Sequence, residues 1–411
     1  MAKRKPTIAT QIELENETDF LEFISTMLAD AGVSDPRRGQ GLRYPFESVM
    51  TIMVLGMVAG NESCAGVAAY AAHYAEWLLT WLDLPKKTPS AGVLRYVMGR
   101  LDQDCLTQIL DAWYARVSAA PSATSDDAPQ IAIDGKSLRS SVNHIEGKRC
   151  LHGVNVYDVG REMVVGHQIV DAKKNEITTI PDQLTALDLT NTTVTMDAMG
   201  CQRDLAQQIV EQKGHYLLTI KNNQKGLRNA LIERFETTPM SKMDTAKTVG
   251  KEHGRIEERT IHVCREVNDC AHAHKWGNLS FVARIVRKRR TMHKGEEKMS
   301  CETAYVIGSH PTASADMILA QNRNHWGIES NVHYSLDTAF NEDAAAHWAR
   351  NGAANMATLR RFVLNIIRLM PDRPVGIKTM RRAAGWSSKS MMNTLQSALL
   401  SCPFGVATPA V

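Results

Sequence analysis

Two short stretches rich in β-branched residues, each running into an aspartate, constrain the fold of this chain more than any other feature. Residues 131–133 (Ile-Ala-Ile) lead into Asp134 and Gly135, and residues 192–196 (Thr-Thr-Val-Thr-Met) lead into Asp197. Runs rich in β-branched residues that end near a glycine are typical of buried strands. If the two strands lie side by side, Asp134 and Asp197 converge at one edge of a sheet. Two carboxylates held that close repel each other unless a divalent cation or a proton lies between them.

Length and composition set the class of protein. A chain of 411 residues predicts two or three domains, and 44% hydrophobic with 22% charged residues is typical of a globular protein. The net charge of +4 argues only weakly for a polyanionic partner. The distribution is more informative, because basic residues gather at 284–290 and between Arg350 and Arg382. Such clusters are expected of a protein that binds phosphate backbones, although solvated helix faces explain them equally well.

The sequence predicts a location in a reducing cytoplasm without membrane contact. The first residues are basic and then polar and acidic, without the apolar core of a signal peptide. The longest apolar run, at 49–59, is too short for a membrane span and fits a core helix. The eight cysteines follow no framework of spacings.

The chain divides at a polar stretch. Residues 1–120 predict an all-helical domain, with helices near 19–31, 46–60, 64–82 and 93–101. Residues 121–130 predict a linker, because they are rich in proline, serine and aspartate.

After the linker, strands and helices alternate. A hairpin at 153–170 and strands at 192–197 and 215–221 are predicted, with helices at 176–189, 203–213 and 224–236. A mixed α/β sheet in this order is what a ribonuclease-H-like core requires. Residues 240–312 read as a β-rich insertion, with strands near 259–263, 279–286 and 301–307. Helices resume near 315, so this α/β domain is expected over 131–370, followed by a C-terminal tail over 371–411.

The stretch 323–343 contains the pattern that completes the interpretation. On a continuous helix, His325, Glu329 and His333 share one face at i, i+4 and i+8. Here the chain resembles the DDE-type insertion-sequence transposases, in the branch of the H-repeat-associated proteins. The resemblance is carried by residues 132–136 (Ala-Ile-Asp-Gly-Lys), 175–177, 194–202, Lys221 with Asn223 and Gln224, 253–257 (His-Gly-Arg-Ile-Glu) with Arg259, 325–343, and Asn355 with Leu359, Arg360 and Arg361. Upstream, residues 35–38, 44–45 and 89–90 resemble the helical domain that precedes the catalytic part in this family.

The resemblance implies a ribonuclease-H-like fold and a transposase that cuts and joins DNA at the ends of a mobile element. Carried over residue by residue, the catalytic and metal-binding triad falls on Asp134, Asp197 and Glu329. The metal is expected to be Mg²⁺, with Mn²⁺ as a substitute. Carboxylates can hold two such ions about 3.5–4 Å from each other. The ions acidify the attacking water and offset the charge that develops on the leaving 3′-oxygen. We expect double-stranded DNA as partner, both element ends and target, a homodimer when assembled on DNA, and a bacterial protein associated with the nucleoid.

Other residues carry weaker predictions with open alternatives. DNA contacts are predicted for Lys221, Arg255, Arg259, Arg323, His325, Trp326 and His333. The histidines could instead ligate metal, and Lys221, Arg255 and Arg259 could be ordinary surface charges. Trp276 and Trp326 could stack on an unpaired base, but core packing is preferred for both. A zinc site at Cys264, Cys270, His272 and His274 is disfavoured, because the spacing matches no standard finger.

Two alternative functions remain beside the transposase. One is an inactive relic that binds element ends without cutting, and the other is a metal-dependent nuclease that cuts without joining. The presence of all three carboxylates favours the transposase.

Overall fold

A computed structural model describes residues 17–39, 42–118, 129–141, 150–170, 176–252, 255–268, 270, 272–293, 296–344, 350–370 and 375–399. The predicted linker lies almost entirely outside these ranges, as do Asn175, His253 and Arg373. None of the described helices combines the length and the apolarity needed to cross a membrane.

All regular structure described before residue 119 is helical. The helices are α1 (Glu17–Asp30), α2 (Phe46–Val58), α3 (Cys64–His73), α4 (Ala75–Trp81), α5 (Ala91–Arg100) and α6 (Gln103–Ser118). Helix α2 is largely apolar, and every residue except Glu47 is buried, as expected of a central helix. Helix α3 begins where the Ser63 hydroxyl accepts a hydrogen bond of 3.1 Å from the Gly66 amide. The single helix predicted over 64–82 is two helices, which meet at Tyr74.

Nine strands form one mixed sheet in the order β3-β2-β1-β4-β5-β9-β8-β7-β6. They are β1 (Gln130–Leu138), β2 (Leu151–Asp158), β3 (Met163–Val170), β4 (Thr193–Met196), β5 (His215–Ile220), β6 (Asp244–Glu252), β7 (Arg255–Cys264), β8 (Phe281–His293) and β9 (Glu296–Gly308). Strands β1, β2 and β3 are an antiparallel meander, whereas β1, β4 and β5 are parallel. The predicted adjacency of the two aspartate-bearing strands is therefore present.

The segment predicted as a β-rich insertion continues this sheet. Strand β9 pairs antiparallel with β5, and β8, β7 and β6 follow outward. Strand β6 was not predicted. Its sequence, Asp-Thr-Ala-Lys-Thr-Val-Gly-Lys-Glu, is largely polar because β6 is an edge strand paired only with β7.

Eight further helices complete the described fold. They are α7 (Ile180–Thr185), α8 (Arg203–Glu211), α9 (Lys225–Thr237), α10 (Ala315–Asn324), α11 (Tyr334–Thr338), α12 (Gly352–Arg368), α13 (Ile377–Ala384) and α14 (Ser388–Leu399). The last two lie in the segment expected as a tail. The helix predicted over 176–189 is shorter, being one 3₁₀ turn and α7.

Helix α12 joins the N-terminal helices to the sheet. It is buried along almost its entire length and contacts α2, α5 and α6 as well as strand β3. The rings of Trp113 on α6 and Phe362 on α12 lie 4.8 Å apart between centroids. Truncating Phe362 to alanine would cost roughly 3–5 kcal/mol, because a ring this deeply packed leaves a cavity. The N-terminal helices and part of the sheet thus share an apolar core.

Several basic residues near the C-terminus are not on the surface. Arg360, Arg361, Arg368 and Arg381 are buried. Arg381 donates hydrogen bonds to the Met57 carbonyl, so it ties α13 to the end of α2. The expectation that 350–382 forms a phosphate-binding surface is therefore wrong for these four arginines, whose charges are used inside the fold.

Candidate active site

Asp134 and Asp197 meet at one end of the sheet. Strands β1 and β4 are parallel, and their register places Ile133 opposite Met196. The residue after each of these is an aspartate, and both aspartates line the same cleft. The convergence predicted from the two strand patterns is what the register produces.

Backbone amides hold both carboxylates. Asp134 Oδ1 accepts from the Gly135 amide at 2.9 Å. Asp197 Oδ1 accepts from the amides of Met199 at 2.8 Å and Gly200 at 3.3 Å, so Asp197 also caps the turn after β4. These bonds fix the direction of each carboxylate while both residues remain partly exposed to the cleft.

The segment that carries Glu329 is not the continuous α-helix predicted from its spacing. Helix α10 ends at Asn324, residues Ile328–His333 form a π-helical turn, and α11 begins at Tyr334. π-Helical turns of this kind occur frequently at functional sites.

Three contacts tie this segment to the strands that carry the aspartates. His325 Nδ1 lies 3.1 Å from Thr195 Oγ1 on β4. His333 Nδ1 lies 3.7 Å from Asp134 Oδ2 on β1. Beyond the π turn, Asp337 Oδ1 lies 2.7 Å from Lys136 Nζ, also on β1. The π turn is thus fixed across the ends of β1 and β4, with Glu329 between its two histidine anchors.

Glu329 is exposed, and its side chain makes no hydrogen bond or ion pair with any described residue. It does not line the cleft that the aspartates share. Nowhere in the described chain do three histidine, cysteine or acidic side chains come together closely enough to hold a metal ion. The structure therefore brings Asp134 and Asp197 together and does not bring Glu329 into contact with them.

Both anchoring histidines are neutral at neutral pH. Burial lowers the pKa of His325 to about 4, against the opposing effect of the Asp197 charge. Burial, together with the positive charges of Arg361 and Lys136, lowers the pKa of His333 to about 3. A neutral imidazole has one donor and one acceptor nitrogen, so these rings can orient neighbours without adding charge.

A buried polar network lies behind His333, and sequence reasoning missed it. Arg361 donates to Asn155 Oδ1 at 2.5 Å and to Glu342 Oε1 at 2.8 Å. Arg361, Asn155 and Glu342 are all completely buried. The available signal was Asn155, which interrupts the apolar run of β2, because a buried amide in a strand requires hydrogen-bonding partners.

The remaining predicted DNA contacts are scattered. Lys221 after β5, Arg255 at the start of β7 and Arg323 on α10 are exposed. Arg259 is instead ion-paired with Glu257 and only 16% exposed. These four side chains are not gathered at the cleft.

The two tryptophans differ in their surroundings. Trp276 is in the core at 4% exposure, as preferred. Trp326 is 50% exposed, so its preferred core packing is wrong. The guanidinium of Arg287 lies over its ring, 5.6 Å from the centroid. An arginine from the sheet thus covers part of a ring that would otherwise be open to solvent.

The donor set at the cleft suits a hard cation. Asp134 and Asp197 supply carboxylate oxygens, which Mg²⁺ and Mn²⁺ prefer, and no thiolate lines the cleft. Cys264 and Cys270 are buried elsewhere and belong to no metal-binding group within the described residues.

Comparison with known proteins finds similarity over most of the chain. Residues 125–366 match the family described as "Transposase DDE domain", and residues 31–114 match the family described as "DDE_Tnp_1-associated". The chain is 30% identical over 391 residues to "Putative transposase YncI" of Escherichia coli O157:H7, covering 93% of this chain and 95% of that protein. It is 26% identical over 373 residues to "H repeat-associated putative transposase YhhI" of Escherichia coli strain K12, covering 90% and 97%.

Proposed function

Because this chain belongs to the DDE-type insertion-sequence transposases, in the branch of the H-repeat-associated proteins, we propose that it cleaves DNA at the ends of an insertion sequence and joins those ends to target DNA. The observation that carries the proposal is the pair of carboxylates, Asp134 and Asp197, that lines one cleft at the ends of adjacent parallel strands. Two neighbouring carboxylates can hold the metal ions that phosphodiester cleavage uses, whereas a single aspartate that caps a turn has no such role.

The two aspartates would hold the metal ions, with Glu329 as the third ligand. When bound, two Mg²⁺ or Mn²⁺ ions acidify a nucleophilic water or 3′-hydroxyl and offset the charge on the leaving oxygen. Glu329 suits this role because it is on the turn anchored between β4 and β1, is exposed, and has no partner among the described residues. The triad would be complete once the Glu329 carboxylate joined the two aspartates at the cleft.

The neighbouring side chains would bind and orient the DNA. His325 and His333 fix the π turn and remain neutral, so they can contact phosphate oxygens only as hydrogen-bond donors. Lys221, Arg255 and Arg323 are exposed cations that can contact the backbone. Trp326 has an exposed ring beside the turn. Synapsis of two element ends would require a homodimer assembled on DNA at the nucleoid.

The test is incubation of the purified protein with labelled element ends, a target plasmid and Mg²⁺ or Mn²⁺. We expect cut ends and joined molecules, both absent without the metal and absent in Asp134→Asn. Band shifts without products would indicate the inactive relic. Cut ends that never join the target would indicate the nuclease.

A further inference from the structure

Three arginines surround one buried glutamate on the outer part of the sheet. Glu257 on β7 has a side chain only 8% exposed. Arg259 on the same strand forms an ion pair with it, Arg289 Nε on β8 donates to its Oε2 at 3.1 Å, and Arg287 Nε on β8 lies 3.5 Å from its Oε1. One carboxylate therefore positions three guanidinium groups, which we call the Glu257 cluster.

The strand register fixes which side of the sheet the cluster occupies. Arg287 is opposite Arg259 and Arg289 is opposite Glu257, so all four share one face. Side chains alternate between faces along a strand, so this face also carries Ile261, which packs in the apolar core that includes residues of α10. We call this face the α10 face. The cluster lies along it beyond the region that α10 covers.

The α10 face leads from the cluster to the candidate active site. The chain leaving α10 passes through Trp326 and reaches Glu329 three residues later. Arg287 lies over the Trp326 ring at 5.6 Å, so one member of the cluster touches the segment that carries the proposed third ligand. The cluster is therefore in contact with the chain three residues before Glu329.

The charges on this surface are unbalanced toward positive. The cluster has three guanidinium groups and one carboxylate, and among the described residues its other acidic contact is Glu302, which lies 3.3 Å from Arg287. Arg255 is on the same face and exposed. Planar guanidinium groups held in fixed directions suit the oxygens of successive phosphates better than mobile side chains do.

We propose that Glu257 organises Arg259, Arg287 and Arg289 into a surface that binds the phosphate backbone of duplex DNA next to the scissile position. This proposal rests on the proposed function and adds a binding surface to it. Glu257 is a positioning residue here, because it does not touch DNA. It lowers the net positive charge of the surface, but it fixes the directions of the three guanidinium groups.

Neighbouring arginines on opposite faces provide a matched test. Arg289 belongs to the cluster, whereas Arg290 points to the other face, opposite Ile256, and is 57% exposed. Binding of a labelled random-sequence duplex is measured over a salt series without divalent metal, so cleavage plays no part. Arg289→Gln should reduce the log–log salt slope by about 0.9, as expected for one lost phosphate contact. Arg290→Gln should leave the slope unchanged, and equal slopes in the two variants would overturn the proposal.

Glu257→Gln separates organisation from net charge. It adds one positive charge, so a surface acting only through its charge would bind DNA more tightly. We expect weaker binding, because the guanidinium groups lose their common partner. Glu297→Gln on β9 adds the same charge on the opposite face and should leave affinity nearly unchanged. Tighter binding by Glu257→Gln would contradict the organising role.

Folding and function remain distinguishable in this design. Thermal unfolding identifies any variant that fails to fold. If Glu257→Gln does not fold, the comparison of Arg289→Gln with Arg290→Gln still tests the proposal. Both of these side chains are partly or largely exposed, so their replacement should not prevent folding. A wild-type chain that binds no duplex DNA would overturn the proposed function together with this surface. A wild-type chain that binds, with equal slopes in the two arginine variants, would overturn the surface alone.

Discussion

Asn155 donates a hydrogen bond of 3.1 Å to His333 Nε2. This bond determines that the hydrogen of the neutral ring is on Nδ1, the nitrogen that faces Asp134. The guanidinium of Arg361 can only donate, so the Asn155 atom 2.5 Å from its Nε must be the oxygen. The amide nitrogen then points at His333 Nε2, which must accept. A neutral ring therefore carries its hydrogen on Nδ1, 3.7 Å from Asp134 Oδ2. The buried network sets the environment of a proposed metal ligand.

We predict that Asn155→Ala weakens metal binding at the cleft. The His333 ring would lose the partner that fixes its tautomer, and loss of such supporting contacts typically lowers metal affinity or activity by about 10–100-fold. Mn²⁺ binding followed by electron paramagnetic resonance measures this directly, independently of DNA cleavage. Asn365→Ala is the matched control, because Asn365 is equally buried but bonds to the Val164 backbone. Both variants should lose stability, and equal Mn²⁺ affinities in the two would contradict the prediction.

We predict that Asp134→Asn and Asp197→Asn each abolish cleavage while the protein stays folded. An amide is neutral and binds a hard cation poorly. The replacement also removes repulsion between two carboxylates that line one cleft, so the metal-free melting temperature should hold or rise. Calorimetry without metal and a gel assay with Mg²⁺ measure the two effects. Cleavage retained by either variant would refute the metal-pair assignment.

The sequence predicted the parts of the fold that follow from local patterns. Alternation and β-branching predicted β1 and β4, and their parallel pairing brought Asp134 and Asp197 together. Strand β6 was not predicted, because an edge strand needs no apolar face and its sequence is largely polar. The π turn at Ile328–His333 was not predicted, because helical spacing alone cannot distinguish an α turn from a π turn.

Charge was the least predictable property. A run of basic residues has the same appearance in a sequence whether the side chains are solvated or buried. Arg361 looked like a surface cation, yet it is completely buried between Asn155 and Glu342. Trp326 looked like a core residue and is half exposed. In both cases the deciding partner is distant in sequence.

We predict that stability falls as the pH drops below about 6.5, partly because of His167. This ring is buried against Thr358, and burial together with the Arg361 charge places its pKa well below the usual value. Between the usual pKa and the lower folded one, the unfolded chain binds a proton that the folded chain does not. The free energy of unfolding then falls by up to about 1.4 kcal/mol per pH unit.

Urea unfolding of wild type and His167→Gln at pH 7.5 and pH 5.5 measures this contribution. The variant should lose less stability than wild type between the two pH values, because glutamine has no group that binds a proton in the unfolded chain alone. An identical pH dependence in both proteins would show that His167 does not contribute.

The last prediction separates the two glutamates that follow the start of α10, Glu329 and Glu342. Glu342 is completely buried, 2.8 Å from Arg361 and 3.7 Å from Arg360. Glu342→Gln would leave buried guanidinium groups without a countercharge, so we expect a loss of about 3–5 kcal/mol in the free energy of unfolding. Glu329 is exposed and unpartnered among the described residues, so Glu329→Gln should leave stability unchanged.

Turnover should show the reverse order once folding is taken into account. Glu329→Gln should destroy single-turnover cleavage with Mg²⁺, because its amide cannot complete a carboxylate triad with Asp134 and Asp197. Glu236→Gln on α9, also an exposed glutamate, is the control and should cleave like wild type. Glu342→Gln should retain cleavage per folded molecule at low temperature, where enough of it remains folded. If folded Glu342→Gln is inactive while Glu329→Gln cleaves normally, the third ligand has been assigned to the wrong residue.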